Sequence, residues 1–326
     1  MKASSNGSDI TRSEDMKIPL RIRVALGLVF VCIVWGSTWL IIKESLSTVP
    51  PFLAAGLRFV IAIIILQLMM MAQGIKVPNE RRFWLLSVQL SMVTYAMPFA
   101  LIYWGGRQIP SGLSAVLFAT FPFWVAVFSR FRIKTEKLAP FLILGIVSAF
   151  VGVVAILSRQ INVSDRLPLF GMLSVLASAG LQAFGLISLI KNGRDYSPTT
   201  INFVGMLIAG IILLSTSAFV EDYSKLQFGS EAIVPLLYLS VFATVLTYVT
   251  YFWLTKYIAP VILSLTAFVT PIIAVSLGII AKGEQFDRNV ILGAVLVLSG
   301  ILLANIAEIL RKVRGVDPTA TAEIKP

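Results

Sequence analysis

Ten apolar runs set the limits on what this chain can fold into. They cover residues 22–42, 52–72, 83–104, 112–130, 139–157, 169–190, 199–219, 233–254, 261–281 and 290–310. Each is about the length a helix needs to cross roughly 30 Å of hydrocarbon. Leu, Ile, Val, Phe and Ala lie on every face, so the narrow apolar stripe of a soluble helix is missing. Barrel strands would be half as long and would alternate. The gaps are short and carry Pro, Gly, Ser and charges. Pro51, Pro140, Pro198 and Pro235 stand near the starts of their runs, where a missing N–H costs little. The expectation is an all-α integral membrane protein with ten transmembrane helices. Residues 1–21 and 311–326 are expected to be polar tails.

Composition narrows the function classes. Of 326 residues, 57% are hydrophobic and 13% are charged. The charged share is about half the 25% of a soluble domain, which excludes a soluble enzyme and a disordered chain. There is no histidine, and Cys32 is the only cysteine. A disulfide framework, a cysteine-based metal site, a Ser-His-Asp or Cys-His triad and an HExxH zinc site are therefore excluded. No cofactor or metal is expected.

The net charge of +11 follows from topology. With the N-terminus in the cytoplasm, nineteen of the 27 Lys and Arg fall on the inner side and seven on the outer side. The outer seven are Lys43, Arg107, Arg159, Arg166, Lys225, Lys282 and Arg288. Arg58 is left over, inside a run. This is the positive-inside pattern, and an even number of spans returns the C-terminus to the cytoplasm. No basic patch interleaved with aromatics lies outside the runs, so nucleic acid is not an expected partner.

The runs divide into five and five. Pro51 and Pro198, Pro122 and Pro271, Glu136 and Glu284, Gly145 and Gly293, and Gly152 and Gly300 recur at nearly one offset. The pattern predicts a duplication, with repeats at 22–157 and 169–310 and a linker at 158–168. Five spans is an odd number, so the second copy inserts upside down. Inverted repeats are a property of transporters that bind solute at mid-membrane between their halves.

The chain resembles the drug/metabolite transporter superfamily, in particular its EamA-like members, over about residues 22–310. The resemblance rests on Trp35-Gly36-Ser37-Thr38-Trp39 and Lys43 in the first run, and on Pro50-Pro51 and Leu57-Arg58-Phe59 in the second. Pro122, Pro271, Glu136 and Glu284 add to it. It implies a ten-helix bundle with helices 1, 3, 4, 6, 8 and 9 around a central cavity. It also implies transport of small metabolites, often export of amino acids, in a bacterial inner membrane. The chain departs from its own repeat at two places. Gln182-Ala183-Phe184 stands where Trp35-Gly36-Ser37 stands, and Gly205 stands where Arg58 stands.

Candidate site residues follow from polarity and depth. Trp35, Tyr95, Gln182 and Tyr248 lie deep in their runs, and a deep phenol or amide must bond something. With Thr38, Phe99, Phe118, Tyr251 and Phe268 they are candidates for lining the cavity; packing within the bundle is the alternative. Trp104, Trp253 and Tyr257 fit an interfacial belt. Pro98, Pro122 and Pro271 free the carbonyls of Thr94, Phe118 and Ala267, as cavity lining with a hinge or as static kinks. Arg58 is expected to be a structural charge that snorkels outward or bonds carbonyls of a neighbouring helix, with a carboxylate clamp as the alternative. No Asp or Glu lies in mid-run, which predicts transport without a carboxylate relay. Glu44 and Glu284 are the edge carboxylates that would otherwise couple it. The glycine stripes of the fifth and tenth runs predict close helix packing, within the bundle or between subunits. The expected partners are a small-molecule substrate and the lipid bilayer, with the chain a monomer or a homodimer.

Overall fold

The computed structural model describes residues 19–132, 140–161, 166–193, 195–224, 226–254, 257–258 and 266–313. Both expected tails, apart from their helical edges, and the segment carrying Glu136 lie outside these residues. Among the described residues the chain forms ten helical rods. They are α1 (Leu20–Thr48), α2 (Pro51–Gln73), α3 (Arg81–Gln108), α4 (Ser111–Arg132), α5 (Pro140–Ile161), α6 (Leu167–Asn192) and α7 (Pro198–Val220). Next come α8 (Ser230–Leu237, Tyr238–Leu246 and Thr247–Leu254 end to end), α9 (Thr266–Lys282) and α10 (Arg288–Val313). The first eight are long and apolar enough to cross a membrane, while α9 and α10 have shorter described apolar stretches.

Proline opens α2, α5 and α7, where its fixed φ suits the first turn and its missing donor is not needed. Pro235 departs from that expectation. It lies five residues inside α8, and the carbonyl it frees belongs to exposed Glu231. Helix α1 runs six residues past the expected end, because Lys43 and Glu44 find partners at other helix ends while still helical.

Two seams join the halves. Helix α2 packs along α7, and α5 along α10. In the first seam Gly56 faces Leu214 and Gly210 faces Phe59, so the two helices run antiparallel. In the second, Gly145 faces Gly300 and Gly152 faces Gly293, again antiparallel. A Cβ on any of these four glycines would stand 2.5 Å from the carbonyl oxygen of its opposite number. Only glycine permits that approach. The stripe therefore packs within the bundle. Ser148 reaches across the same seam to the Leu296 carbonyl at 2.9 Å.

Helix α1 packs against α8 and α9, and α6 against α3 and α4. One core gathers Ala54, Ala55, Phe59, Tyr103, Ala209 and Leu239 from α2, α3, α7 and α8. A second gathers Leu117, Ile156, Val175, Val297 and Ile301 from α4, α5, α6 and α10.

Candidate solute-binding site

Both α3 and α8 are underwound into π-helix, over Ser91–Ala96 and Tyr238–Leu246. Such a segment inserts an extra residue per turn and frequently marks a functional site. Pro98 follows the first π segment. Thr247 follows the second at the corresponding position, so proline is not required for the distortion. In α8 hydroxyls serve instead: Thr244 and Thr247 donate to the carbonyls of Leu239 and Phe242, five residues back, at 2.8 and 2.7 Å. Pro122 sits just after a break in α4, where Thr120 donates to the Leu117 carbonyl at 2.7 Å. Pro271 is buried within α9, which continues through it.

The predicted site residues fall into groups. Trp35 on α1 meets Tyr248 and Tyr251 on α8, with ring centroids 6.0 and 5.2 Å apart. Tyr248 keeps 37% of its surface exposed. Phe118 joins Trp39 at 5.2 Å and stacks on Phe121. Tyr95 and Phe99 both pack on Phe59, at 5.9 and 4.7 Å. The Thr38 hydroxyl is turned back on its own helix, donating to the Val34 carbonyl at 2.7 Å. Phe268 packs against the second core, and Gln182 is half-buried on α6. Ser37, part of the resemblance but not among the expected lining residues, lies 2.6 Å from the Tyr238 phenol in the second π segment.

Arg58 does not snorkel, and among the described residues it meets no helix carbonyl. It is buried, its Nε donates to Thr244 Oγ1 at 3.0 Å, and its Nη1 lies 3.4 Å from the Tyr103 hydroxyl. Its guanidinium also stands 5.1 Å from the centre of the Phe99 ring. At the corresponding place in the other half, seven residues past the opening proline of α7, is Gly205. There the Tyr95 ring fills the space from the π segment of α3, so close that a Cβ on Gly205 would meet its ring carbons. Tyr95 then donates to Asn202 Oδ1. A long side chain reaches across in each half, from α2 in one and from α3 in the other. Thr244, Tyr248, Asn202 and Thr199 line a cleft of about 60 Å³ between α2, α7 and α8.

At one end of the bundle charges meet backbone. Lys43 Nζ donates to the carbonyls of Gly106, Arg107 and Ile109 at 2.8–3.0 Å, using all three ammonium donors on the C-terminal end of α3. Glu284 accepts the first N–H groups of α4, from Ser111 at 2.6 Å and Gly112 at 3.1 Å. Gly283 places that carboxylate: with φ of 62° it ends α9 in a left-handed turn, its N–H bonded to the Ile279 carbonyl. Lys282 pairs with Glu44, tying α9 to α1. Glu221 caps α2 in the same manner through Phe52 and Leu53, at 2.7 and 2.9 Å. A carboxylate at a helix N-terminus and a cation at a C-terminus both complement the helix dipole. A vestibule of about 530 Å³ opens at this end, beside Trp104, Arg107, Glu221 and Asp222. The opposite end carries exposed contacts, Arg82 with Asp195 at 3.8 Å and Tyr196 with Glu80 at 3.0 Å, and a half-buried one in which Arg132 Nη1 donates to Ser188 Oγ at 3.0 Å.

The model of the EamA-like transporter family matches the chain twice, over residues 22–158 and 169–306. The uncharacterized transporter YoaV of Bacillus subtilis is 26% identical, over 90% of this chain and 100% of its own length. PagO of Salmonella typhimurium is 28% identical, over 88% of this chain and 94% of its own. The uncharacterized inner membrane transporter YedA of Escherichia coli is 28% identical, over 85% and 89%. A protein of known crystal structure shares the fold with a TM-score of 0.63 at 18% identity, covering 88% of this chain and 97% of that one.

Proposed function

The chain belongs to the EamA-like transporter family, and from that premise we propose that it carries small neutral or aromatic amino acids across a bacterial inner membrane by alternating access. It is a membrane transporter and not an enzyme. The observation that carries the substrate reading is the group of rings at the contact of α1 with α8. Trp35 stands against Tyr248 and Tyr251, with Tyr248 partly exposed. Faces of this kind suit a partly apolar, uncharged or zwitterionic solute. The likeness to YedA, an inner membrane transporter by name, supports the inner-membrane placement.

Two inverted five-helix repeats with both termini in the cytoplasm form the proposed frame. Three things support it: the double family match, the antiparallel α2–α7 and α5–α10 seams, and the excess of Lys and Arg in the loops assigned to the inner side. In that frame the end bearing Lys43, Glu44, Lys282 and Glu284 is the outer one. Their contacts hold α1 and α9 against the α3–α4 turn, so the molecule is closed outward. Opening breaks helix-end contacts and leaves the α5–α10 seam intact. Transport runs down the solute gradient, as exporter or facilitator, with Glu44 and Glu284 engaged as structural charges.

Uptake of labelled phenylalanine, tryptophan and leucine into proteoliposomes tests the reading. Saturable uptake without a proton gradient is the expected result. Uptake only with the gradient overturns the uncoupled mechanism, and no uptake of any amino acid overturns the substrate. The outer closure has its own test. In a Cys32→Ser background, Thr38→Cys should be labelled by an impermeant maleimide from outside several-fold faster once Glu284→Ala removes the cap on α4. Equal rates would reject the closure.

A further inference from the structure

Arg58 is a cation buried to 5% exposure, and no carboxylate among the described residues pairs with it. A guanidinium has five N–H donors. Two are used, on the Thr244 hydroxyl and the more distant Tyr103 hydroxyl. The other three have no protein acceptor among the described residues. A neutral environment holds such a charge at a cost, unless something supplies the missing anion.

Filling space does not explain the charge. The corresponding place in the other half is filled by an uncharged phenol, with Tyr95 against Gly205. Helix packing at this depth therefore needs bulk and one hydrogen bond, which Tyr95 supplies through Asn202. What the Arg58 half has in addition is a charge with N–H donors to spare, beside a cleft that both hydrogen-bond acceptors, Thr244 and Asn202, line. Thr244, which holds Nε, also lines the cleft, and Tyr248 one turn later lines it too while touching Trp35. At about 60 Å³ the cleft admits a small polar group rather than a whole aromatic solute.

Resting on the transport reading above, we infer that Arg58 receives the carboxylate of the transported solute, entering past Thr244 and Tyr248, while the rest of the solute lies toward Trp35 and Tyr251. The planar fork of a guanidinium matches two carboxylate oxygens, which gives specificity as well as charge. Recognition is then of the carboxylate and not of the amine.

Binding to the purified protein, read by thermal shift, separates the two groups on one phenyl scaffold: 3-phenylpropionate, L-phenylalanine and phenethylamine. Both carboxylates should bind more than about tenfold tighter than the amine, since a site built to hydrogen-bond a group rejects the analogue that lacks it. Arg58→Gln should erase that difference and leave the weak amine binding unchanged, and Arg58→Lys should restore part of it. Thr244→Val keeps the fold testable if Arg58 variants do not accumulate. It frees Nε, so carboxylates should bind tighter and the amine should not, even as the protein loses stability. A structural Arg58 would give no ligand-specific change. Equal binding of the three compounds, no binding of either acid, or undiminished discrimination in Arg58→Gln overturns the inference. Binding of 3-phenylpropionate without uptake of any amino acid would uphold Arg58 and reject the amino-acid reading alone.

Discussion

The two halves solve one packing problem in opposite ways. Where α2 meets α8, a long cation leaves the outer helix and ends on a small hydroxyl in the π segment, Arg58 on Thr244. Where α7 meets α3, the outer helix offers a glycine and the π segment supplies the bulk, Tyr95 on Gly205. Large faces small in both, but the source of the large residue is exchanged and only one is charged. The contrast teaches that the interhelical spacing is common to the halves while the chemistry is local to one of them.

Breaking the neutral contact should have the largest effect. Gly205→Leu puts a side chain where the Tyr95 ring already lies, and overpacking of that kind costs about 1–3 kcal/mol and occasionally more. Loss of a monodisperse peak in detergent is the expected outcome. Converting one contact into the other is the sharper experiment. The pair Arg58→Gly and Thr244→Tyr copies the bulk of the Tyr95–Gly205 arrangement without its hydrogen bond, because Ala55 stands where Asn202 stands, so the protein should fold and unfold about 1–2 kcal/mol below the parent. Carboxylate preference should be gone. Failure of the pair to fold would mean that the two places are not equivalent in shape. Tyr95→Phe is the smallest change. It deletes one hydrogen bond to Asn202, and a drop of about 1 kcal/mol is expected by denaturant or thermal unfolding.

The helices could be read along the chain because apolar length is a one-dimensional property: among the described residues each expected run holds helix, and eight of the helices are long and apolar enough to cross a membrane. Lys43 and Glu284 stood out as residues of the resemblance, but their partners did not. Those partners are carbonyls and N–H groups at the ends of α3 and α4, and a backbone group looks the same at every position. The π segments were hidden for a related reason. An extra residue in a turn leaves an apolar run apolar, and the only trace is Thr244 and Thr247 placed to bond five residues back. Arg58 was visible as a lone intramembrane charge. Its neighbours were not, since Thr244 is 186 positions away and Tyr103 is 45. The ring groups were half legible: Tyr248 and Tyr251 share α8, but that Trp35 rather than Gln182 would meet them depends on which helices pack.

The crossing of α5 and α10 constrains how the halves can move. Each of its four glycines lies under a carbonyl of the other helix, and Ala149, Ile156, Leu296 and Ala304 flank the crossing points. Sliding one helix past the other by a single residue, about 1.5 Å, would drive those side chains into the opposing backbone. Translation along the seam is blocked in both directions. Rotation about it is not, because the same four points stay in register as the angle changes. The seam thus forbids sliding and permits turning, so any displacement between the halves grows with distance from it.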